Sequence, residues 1–337
     1  MSSAVTVVVP TYNEAHFIEE CLTSVLEDPA TEVLVVDGGS TDATREIVAG
    51  LMPRFPGLRV LDNPRRSAAS AMNIGLAHAT GEFIVRLDAH SVYPPGYVSR
   101  LTAALHDYSA DVSGGVIRPV ARERTVFGRA VAASLSNAWV VGNSEFRVGG
   151  GGVRVVDTVP FGCWRADTLR RIGGYNEELS RSQDYDLSQR LRQMGAKILL
   201  VPDVVIEYKA RSGLWQNVKY NFWNGYWVGY PMVVSGVRFA IRHLAPALAC
   251  LGGLLLLLAC WALSTPLPLL LAAPYLVVLL LSALTAAREG LAVASLLPLI
   301  TAATHVLYGF GALYGLLDGA VARLRRRTAR EAVGSRS

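Results

Sequence analysis

The chain has 337 residues, 51% of them hydrophobic, and carries a formal net charge of +5. That is enough for one large domain and something more, and too apolar for a protein wholly in water. The tail after residue 320 holds Arg323, Arg325, Arg326, Arg327, Arg330 and Arg336 against one acid, Glu331, which accounts for the whole charge excess. No nucleic-acid partner is implied; a basic end beside apolar helices suits anionic lipid headgroups or a topology signal. Cys21, Cys163, Cys250 and Cys260 show neither metal-ligand spacing nor a secreted disulfide pattern.

From the N-terminus, strand and helix patterns alternate. "VTVVVP" is an apolar strand, "EAHFIEECLTSVLED" has helical spacing, and "EVLVVD" is a second buried strand. "STDATREIVAGL" opens with the cap candidates Ser40 and Asp42 and continues as a helix. "LRVLDN" is a third strand, "SAASAMNIGLAHA" a helix and "EFIVRL" a fourth strand. Apolar strands separated by helices predict an α/β fold with a mainly parallel sheet covered on both faces. Ligands of such sheets gather at the carboxyl ends of the strands, where Thr11 to Glu14, Asp37 to Ser40 and Asp88 to His90 fall. The opening "MSSAVTVVVPTYNEA" has no basic n-region of a signal peptide, so the N-terminal two thirds is expected in the cytosol.

After residue 110, "DVSGGVIRPV" reads as a strand, and the four glycines in "VGGGGVRVVDTVPFG" predict a mobile loop. A helix near "RADTLRRIGG", a helix after Ser182-Gln183-Asp184, and two strands, "KILLV" and "VVIEY", complete a domain over 1–212. Residues 213–240 concentrate Trp215, Tyr220, Phe222, Trp223, Tyr226, Trp227 and Tyr230, a composition expected at a membrane interface. Residues 241–320 contain three apolar runs, at about 243–264, 266–287 and 291–317, each near the roughly 20 residues that a bilayer crossing needs. The basic tail occupies 321–337. His305, inside the third run, is expected to be a hydrogen-bonded structural residue. Three crossings would put the arginines on the far side from a cytosolic domain, against the positive-inside tendency. Gly290, Pro298 and the glycine-rich "YGFGALYGLLDG" are where a run could re-enter instead.

On an extended backbone Asp88 and His90 point the same way and could reach one divalent ion, although alone the pair is equally a solvated turn. Asp37 could accept from a base or ribose, or cap its own loop. Arg65 and Arg66 could meet donor phosphates or be solvated. Lys209 and Arg211 lie close in sequence to the aromatic segment, Trp215 included, where a lipid diphosphate or headgroups would need cations.

Four separated stretches, "VVVPTYNEAHFIEECLTSVL", "EVLVVDGGSTDAT", "NIGLAHATGEFIVRLDAH" and "GGYNEELSRSQDYDLSQRLRQMGAKI", occur in the order seen in glycosyltransferase family 2. Over about residues 4–235 the chain resembles that family, and within it the ExoA-like, succinoglycan-type membrane branch, with its Asp-Ala-His and a "VDTVPFG"-like segment. The resemblance implies a GT-A fold, Rossmann-like, followed by C-terminal membrane helices. It implies that Pro10, Thr11, Glu14, Asp37, Arg66 and Asp88 contact the nucleotide-sugar, and that Asp88 and His90 hold Mn2+ or Mg2+. Asp184 would be the catalytic base, with Asp186 a nearby alternative; Gln183 stands where the family usually has Glu. The Gln-x-x-Arg-Trp motif of processive synthases is missing, which implies single-sugar transfer. The expectation is an inverting transferase, multi-pass in the plasma (inner) membrane with its catalytic domain cytoplasmic. It would take a UDP- or GDP-linked donor and a polyprenyl-diphosphate-linked saccharide. The rivals are transfer onto bare polyprenyl phosphate and a non-catalytic nucleotide-binding scaffold. Metal binding by His90 is expected to weaken below about pH 6.5.

Overall fold

The structure is a computed structural model that describes residues 4–26, 28 and 32–334. In chain order its first elements are β1 (Val5–Thr11), α1 (Ile18–Thr23), β2 (Glu32–Asp37), α2 (Thr44–Leu51), β3 (Leu58–Asp62), α3 (Ala68–His78) and β4 (Phe83–Arg86). Next come β5 (Ser91–Val92), α4 (Tyr97–Asp107), β6 (Val112–Ala121), α5 (Val126–Ser134), α6 (Ala138–Val141) and α7 (Glu145–Val148). The remainder is β7 (Arg154–Val155), β8 (Cys163–Arg165), α8 (Ala166–Arg171), α9 (Gln183–Gln193), β9 (Ile198–Ala210), α10 (Leu214–Val234), α11 (Ala245–Leu263), α12 (Ala273–Thr285) and α13 (Leu291–Gly334).

Side chains of β1 and β2 alternate between two cores. Val7, Val9, Val33 and Val35 join α1, α2 and α4 on one face, while Val8, Leu34 and Val36 join α3, α8 and α9 on the other. This is why the strands read as unbroken apolar runs: both faces are covered. Parallel pairing puts Thr11 opposite Asp37 and Asp37 opposite Asp62, so three strands end level and their polar ends form one rim.

The sheet is mixed, which corrects the expectation of a mainly parallel one. The strand order is β3-β2-β1-β4-β8-β6-β9-β5, with β7 on β9. The pairs among β3, β2, β1 and β4 are parallel, but β8 is antiparallel to β4 and to β6, and β5 and β7 are antiparallel to β9. Cys163-Trp164-Arg165 is too short to show a period. It enters beside β4 from an irregular stretch, with no crossover helix to turn it parallel. The two strands expected after residue 196 are the single strand β9. The four glycines form a closed turn, because Arg154 donates to the carbonyl oxygens of Gly150 and Gly152 and pairs with Glu145.

Residues 119–144 and 210–337 form a second compact unit, so part of the stretch assigned by sequence to the first domain belongs with the C-terminal helices. Among the described residues three helices are long and apolar enough to cross a membrane: Ala245–Leu263, Leu269–Glu289 and Leu291–Arg326. The aromatic segment is α10, which runs along α13 on glycines. A Cβ at Gly225 or Gly229 would collide with the carbonyl oxygens of Tyr308 or Ala312, and one at Gly311 or Gly315 with those of Phe222 or Tyr226. Small residues four apart on both helices let the backbones touch. The glycine-rich stretch thus lies within a continuous helix rather than at a re-entry. That helix extends through most of the basic tail; Arg336 lies outside the described residues.

Gly315→Val should lower the thermal midpoint in detergent, at a cost of about 1–3 kcal/mol for the overpacked interface. Gly252→Ala, where an added Cβ meets open space, should leave the midpoint unchanged or raise it slightly.

Candidate functional site

The loop after β1 is held by the loop after β2. Ser40 Oγ accepts from Asn13 N–H at 2.9 Å, Thr44 Oγ1 from Glu14 N–H at 2.9 Å, and Asp42 from Ala15 N–H at 3.1 Å. Asn13 Oδ1 accepts from Thr41 N–H at 2.8 Å while its own backbone is left-handed, at φ 54°, a conformation that Asn tolerates better than most residues. Pro10 and Thr11 end β1 beside this junction, and Thr11 Oγ1 donates to Val9 O.

The Asp37 side chain is enclosed. It accepts from Gly39 and Ser40 N–H at 3.0 Å each, from the Ser40 hydroxyl, and from Arg45 Nε at 2.6 Å. Burial pushes its pKa up, but Ser40 and Arg45 outweigh that and hold it below the usual carboxylate value. The loop-capping role is thus occupied in full. Next to it the Arg66 guanidinium lies 5.6 Å from the centre of the Tyr12 ring, beside Gly39. Arg65 instead pairs with Glu177 at 2.6 Å.

Asp88, His90 and Glu14 meet. His90 Nδ1 is 2.7 Å from Asp88 Oδ1 and 3.1 Å from Glu14 Oε1. Burial lowers the imidazole pKa, but the two carboxylates override it and raise it to about 9. The expected titration near pH 6.5 is therefore moved up, first by Asp88 and then by Glu14, which lies 76 residues away in the chain. The Asp88 pKa is pushed up by burial and pulled down further by His90 and Arg86, ending below its usual value. Tyr93 OH accepts from Asp88 N–H at 2.6 Å and fixes the turn.

Asp184 stands in the first turn of α9, and its Oδ1 is paired with Arg86 Nη1. Arg86, the last residue of β4, is buried, with its guanidinium 5.6 Å from the Phe161 ring centre and 5.9 Å from that of Tyr175. Burial raises the Asp184 pKa more than Arg86 lowers it, so the group sits above the usual carboxylate value. Arg86 Nε and Gln183 Oε1 are buried with no hydrogen-bond partner among the described residues, while the Tyr175 hydroxyl lies against Arg86 and Asp184 and helps to hold the Asp184 pKa down. Ser182 and Phe161, flanking this pair, are left-handed at φ 60° and 48°. Asp186, the alternative base, faces Arg190 at 2.9 Å.

Of the proposed acceptor contacts, Lys209 donates its N–H to His90 O at 3.0 Å and its ammonium lies 3.3 Å from Glu20. Arg211 and Trp215 belong to the second unit, both exposed, Trp215 by 74%. No group of three or more His, Cys, Asp or Glu side chains among the described residues has the arrangement of a metal site. Arg86 escaped the sequence reading because it sits inside a strand that otherwise looks wholly apolar.

Two outcomes follow. Arg86→Met strands the Asp184 carboxylate and should destabilise the protein by about 3–5 kcal/mol; adding Asp184→Asn should recover much of that loss, read as a coupling in a thermal-unfolding double-mutant cycle. Because the His90 pKa is raised on folding, its contribution is complete below about pH 6.5 and disappears as pH rises through about 9. In EDTA, the stability gap between the wild type and His90→Gln should be on the order of 3 kcal/mol at pH 6 and close by pH 10.

Residues 6–161 match the family model described as Glycosyl transferase family 2. The succinoglycan biosynthesis protein ExoA of Rhizobium meliloti is 31% identical over 228 residues, 65% of this chain and 68% of that one. A dolichyl N-acetyl-alpha-D-glucosaminyl phosphate 3-beta-D-2,3-diacetamido-2,3-dideoxy-beta-D-glucuronosyltransferase of Methanococcus voltae is 23% identical over 330 residues, 94% of this chain and 98% of that one. Among solved structures, a mannosyltransferase of Pyrobaculum calidifontis in complex with GDP-Man and Mn2+ superposes with a TM-score of 0.59 at 24% identity, over 94% of this chain and 88% of that one. The chain is a glycosyltransferase with a GT-A fold and belongs to glycosyl transferase family 2, on its ExoA side.

Proposed function

We propose that the protein transfers one sugar, with inversion, from a nucleotide-sugar to a polyprenyl-diphosphate-linked saccharide at the cytosolic face of the plasma membrane. The observation that carries this is Asp184. Its carboxylate is held through one oxygen by Arg86, beside the buried and unpartnered Arg86 Nε and Gln183 Oε1, and burial gives it more basicity than a solvated Asp. In the proposed step an acceptor hydroxyl gives its proton to Asp184 as its oxygen bonds to the anomeric carbon, and the bond to the nucleoside diphosphate breaks. The oxygen that Arg86 holds fixes where the other one points.

Pro10, Thr11, Glu14, Asp37 and Arg66 line the rim where the nucleotide would lie, with Tyr12 beneath Arg66 as a stacking surface. A divalent ion would be held by Asp88 and His90 after displacing the proton that Asp88 and Glu14 hold on the imidazole, and such ions take their remaining ligands from phosphate and water. Mn2+ or Mg2+ bound there would neutralise charge on the departing diphosphate. The lipid acceptor rests on the three apolar helices and on the M. voltae relative, whose name carries a dolichyl-linked sugar phosphate. Lys209, Arg211 and Trp215 are the proposed contacts to it. Transfer onto bare polyprenyl phosphate is the rival reading.

Asp184→Asn should reduce transfer by at least about 100-fold while donor affinity stays within a few-fold of wild type. Supplying both lipid acceptors to membranes with a radiolabelled nucleotide-sugar checks this. Turnover retained in the variant would remove Asp184 as base, and equal use of bare polyprenyl phosphate would favour the rival acceptor.

A further inference from the structure

Residues 125–141 read "TVFGRAVAASLSNAWVV", an apolar stretch with a single charge, Arg129. It is broken into α5, of nine residues, and α6, of four, each too short to span a bilayer, and apolar helices this short are buried or re-entrant. Within the second unit it does not cover a soluble core. Its inner side, Ala130 and Val131, packs with Val293 and Ile300 of α13.

Its polar contacts follow α12 and α13 from one end inward. Arg129 Nη2 donates to Glu289 O at 3.3 Å, at the connection between the two helices. Asn137 Nδ2 donates to Ser282 O at 3.1 Å and Thr285 Oγ1 at 2.8 Å on α12. Val140 O lies 3.1 Å from His305 Nε2. A carbonyl can only accept, so Nε2 carries the hydrogen and Nδ1 accepts from Tyr275 OH at 2.9 Å. His305 lies roughly 21 Å along α13 from Leu291 at the helical rise. A hydrocarbon core is about 30 Å thick.

The break between α5 and α6 is also built as a low-dielectric site demands. Leu135, Ser136 and Asn137 donate their N–H groups to the carbonyls of Val131, Ala133 and Ser134. Asn137 Oδ1 accepts from Trp139 N–H at 3.0 Å, and Ser134 and Ser136 return their hydroxyls to carbonyls three residues back. Irregular backbone at membrane depth is tolerated only when satisfied in this way. On the outer side Val126, Ala138 and Trp139 are exposed.

We infer that residues 125–141 are a re-entrant segment that enters the bilayer alongside α12 and α13, with Val126, Ala138 and Trp139 against lipid acyl chains. This rests on the reading that the C-terminal helices span a membrane. The chain before residue 119 and from 145 to 209 belongs to the first unit, so the chain dips into the bilayer once before its C-terminal helices begin.

The test uses the full chain in lipid nanodiscs, in a background with Cys250→Ala and Cys260→Ala. An environment-sensitive fluorophore is attached in turn at Ala138→Cys, Ser136→Cys, Leu257→Cys on the exposed side of α11, and Met194→Cys on the soluble domain. The first three reporters should emit to the blue and be quenched severalfold more by doxyl lipids than the Met194 reporter, which aqueous iodide should quench. Doxyl quenching at Leu257 with iodide quenching at both 136 and 138 would overturn the re-entrant segment and leave the spanning helices standing. Iodide quenching at Leu257 as well would overturn the membrane reading, and the segment with it.

Discussion

The guanidinium of Arg86 is the charge on which the site depends. Asp88 and Asp184 are far apart in sequence, yet the field of one reaches the other, and in a cleft screened from water each would drive its neighbour toward the neutral form. Arg86 pairs with Asp184; the Asp88 pKa is lowered first by His90, with Glu14 on the far side of the ring, and then by Arg86. Acids and cations thus alternate from Glu14 through His90, Asp88 and Arg86 to Asp184. Four of these five come from the ends of β1 and β4, so the sheet itself sets their spacing.

Much of this was legible in the sequence, and the reasons for the remainder are local. Apolar runs of four to seven residues marked β1, β2 and β4, because their burial on both faces leaves no room for polar residues. The polar ends of those runs marked the rim. Three kinds of feature did not show. Strands of two or three residues, such as β5, β7 and β8, carry no period. Arg86 and Arg154 act through partners brought near only by folding, so a one-dimensional reading sees an odd charge and nothing more; the contact of Glu14 with His90 was hidden in the same way. The apolar stretch at 125–141 folds as two short helices and interrupts the sequence of the first unit, which hides it from any rule based on length.

The two units are stabilised by different physics. In the first, apolar side chains leave water and the sheet is sealed by two cores. In the second, helices associate through close backbone approach and satisfied polar groups, the means that would remain if lipid replaced water around its three long apolar helices. The glycine seam between α10 and α13, and the Asn137, Ser282, Thr301 and His305 bonds, are of this second kind.

Ser182 and Phe161 hold left-handed backbone on either side of the Arg86–Asp184 pair, a conformation that glycine adopts freely and that costs a bulky side chain on the order of 1–3 kcal/mol. Glycine at Ser182 would relieve that strain, whereas at Phe161 it would also empty the buried site that the ring fills, at a cost above the strain relieved. With Asp184 as the proposed base, selection for heat resistance alone would therefore push Ser182 toward glycine and loosen the aim of the carboxylate, so durability and speed pull in opposite directions at one backbone angle.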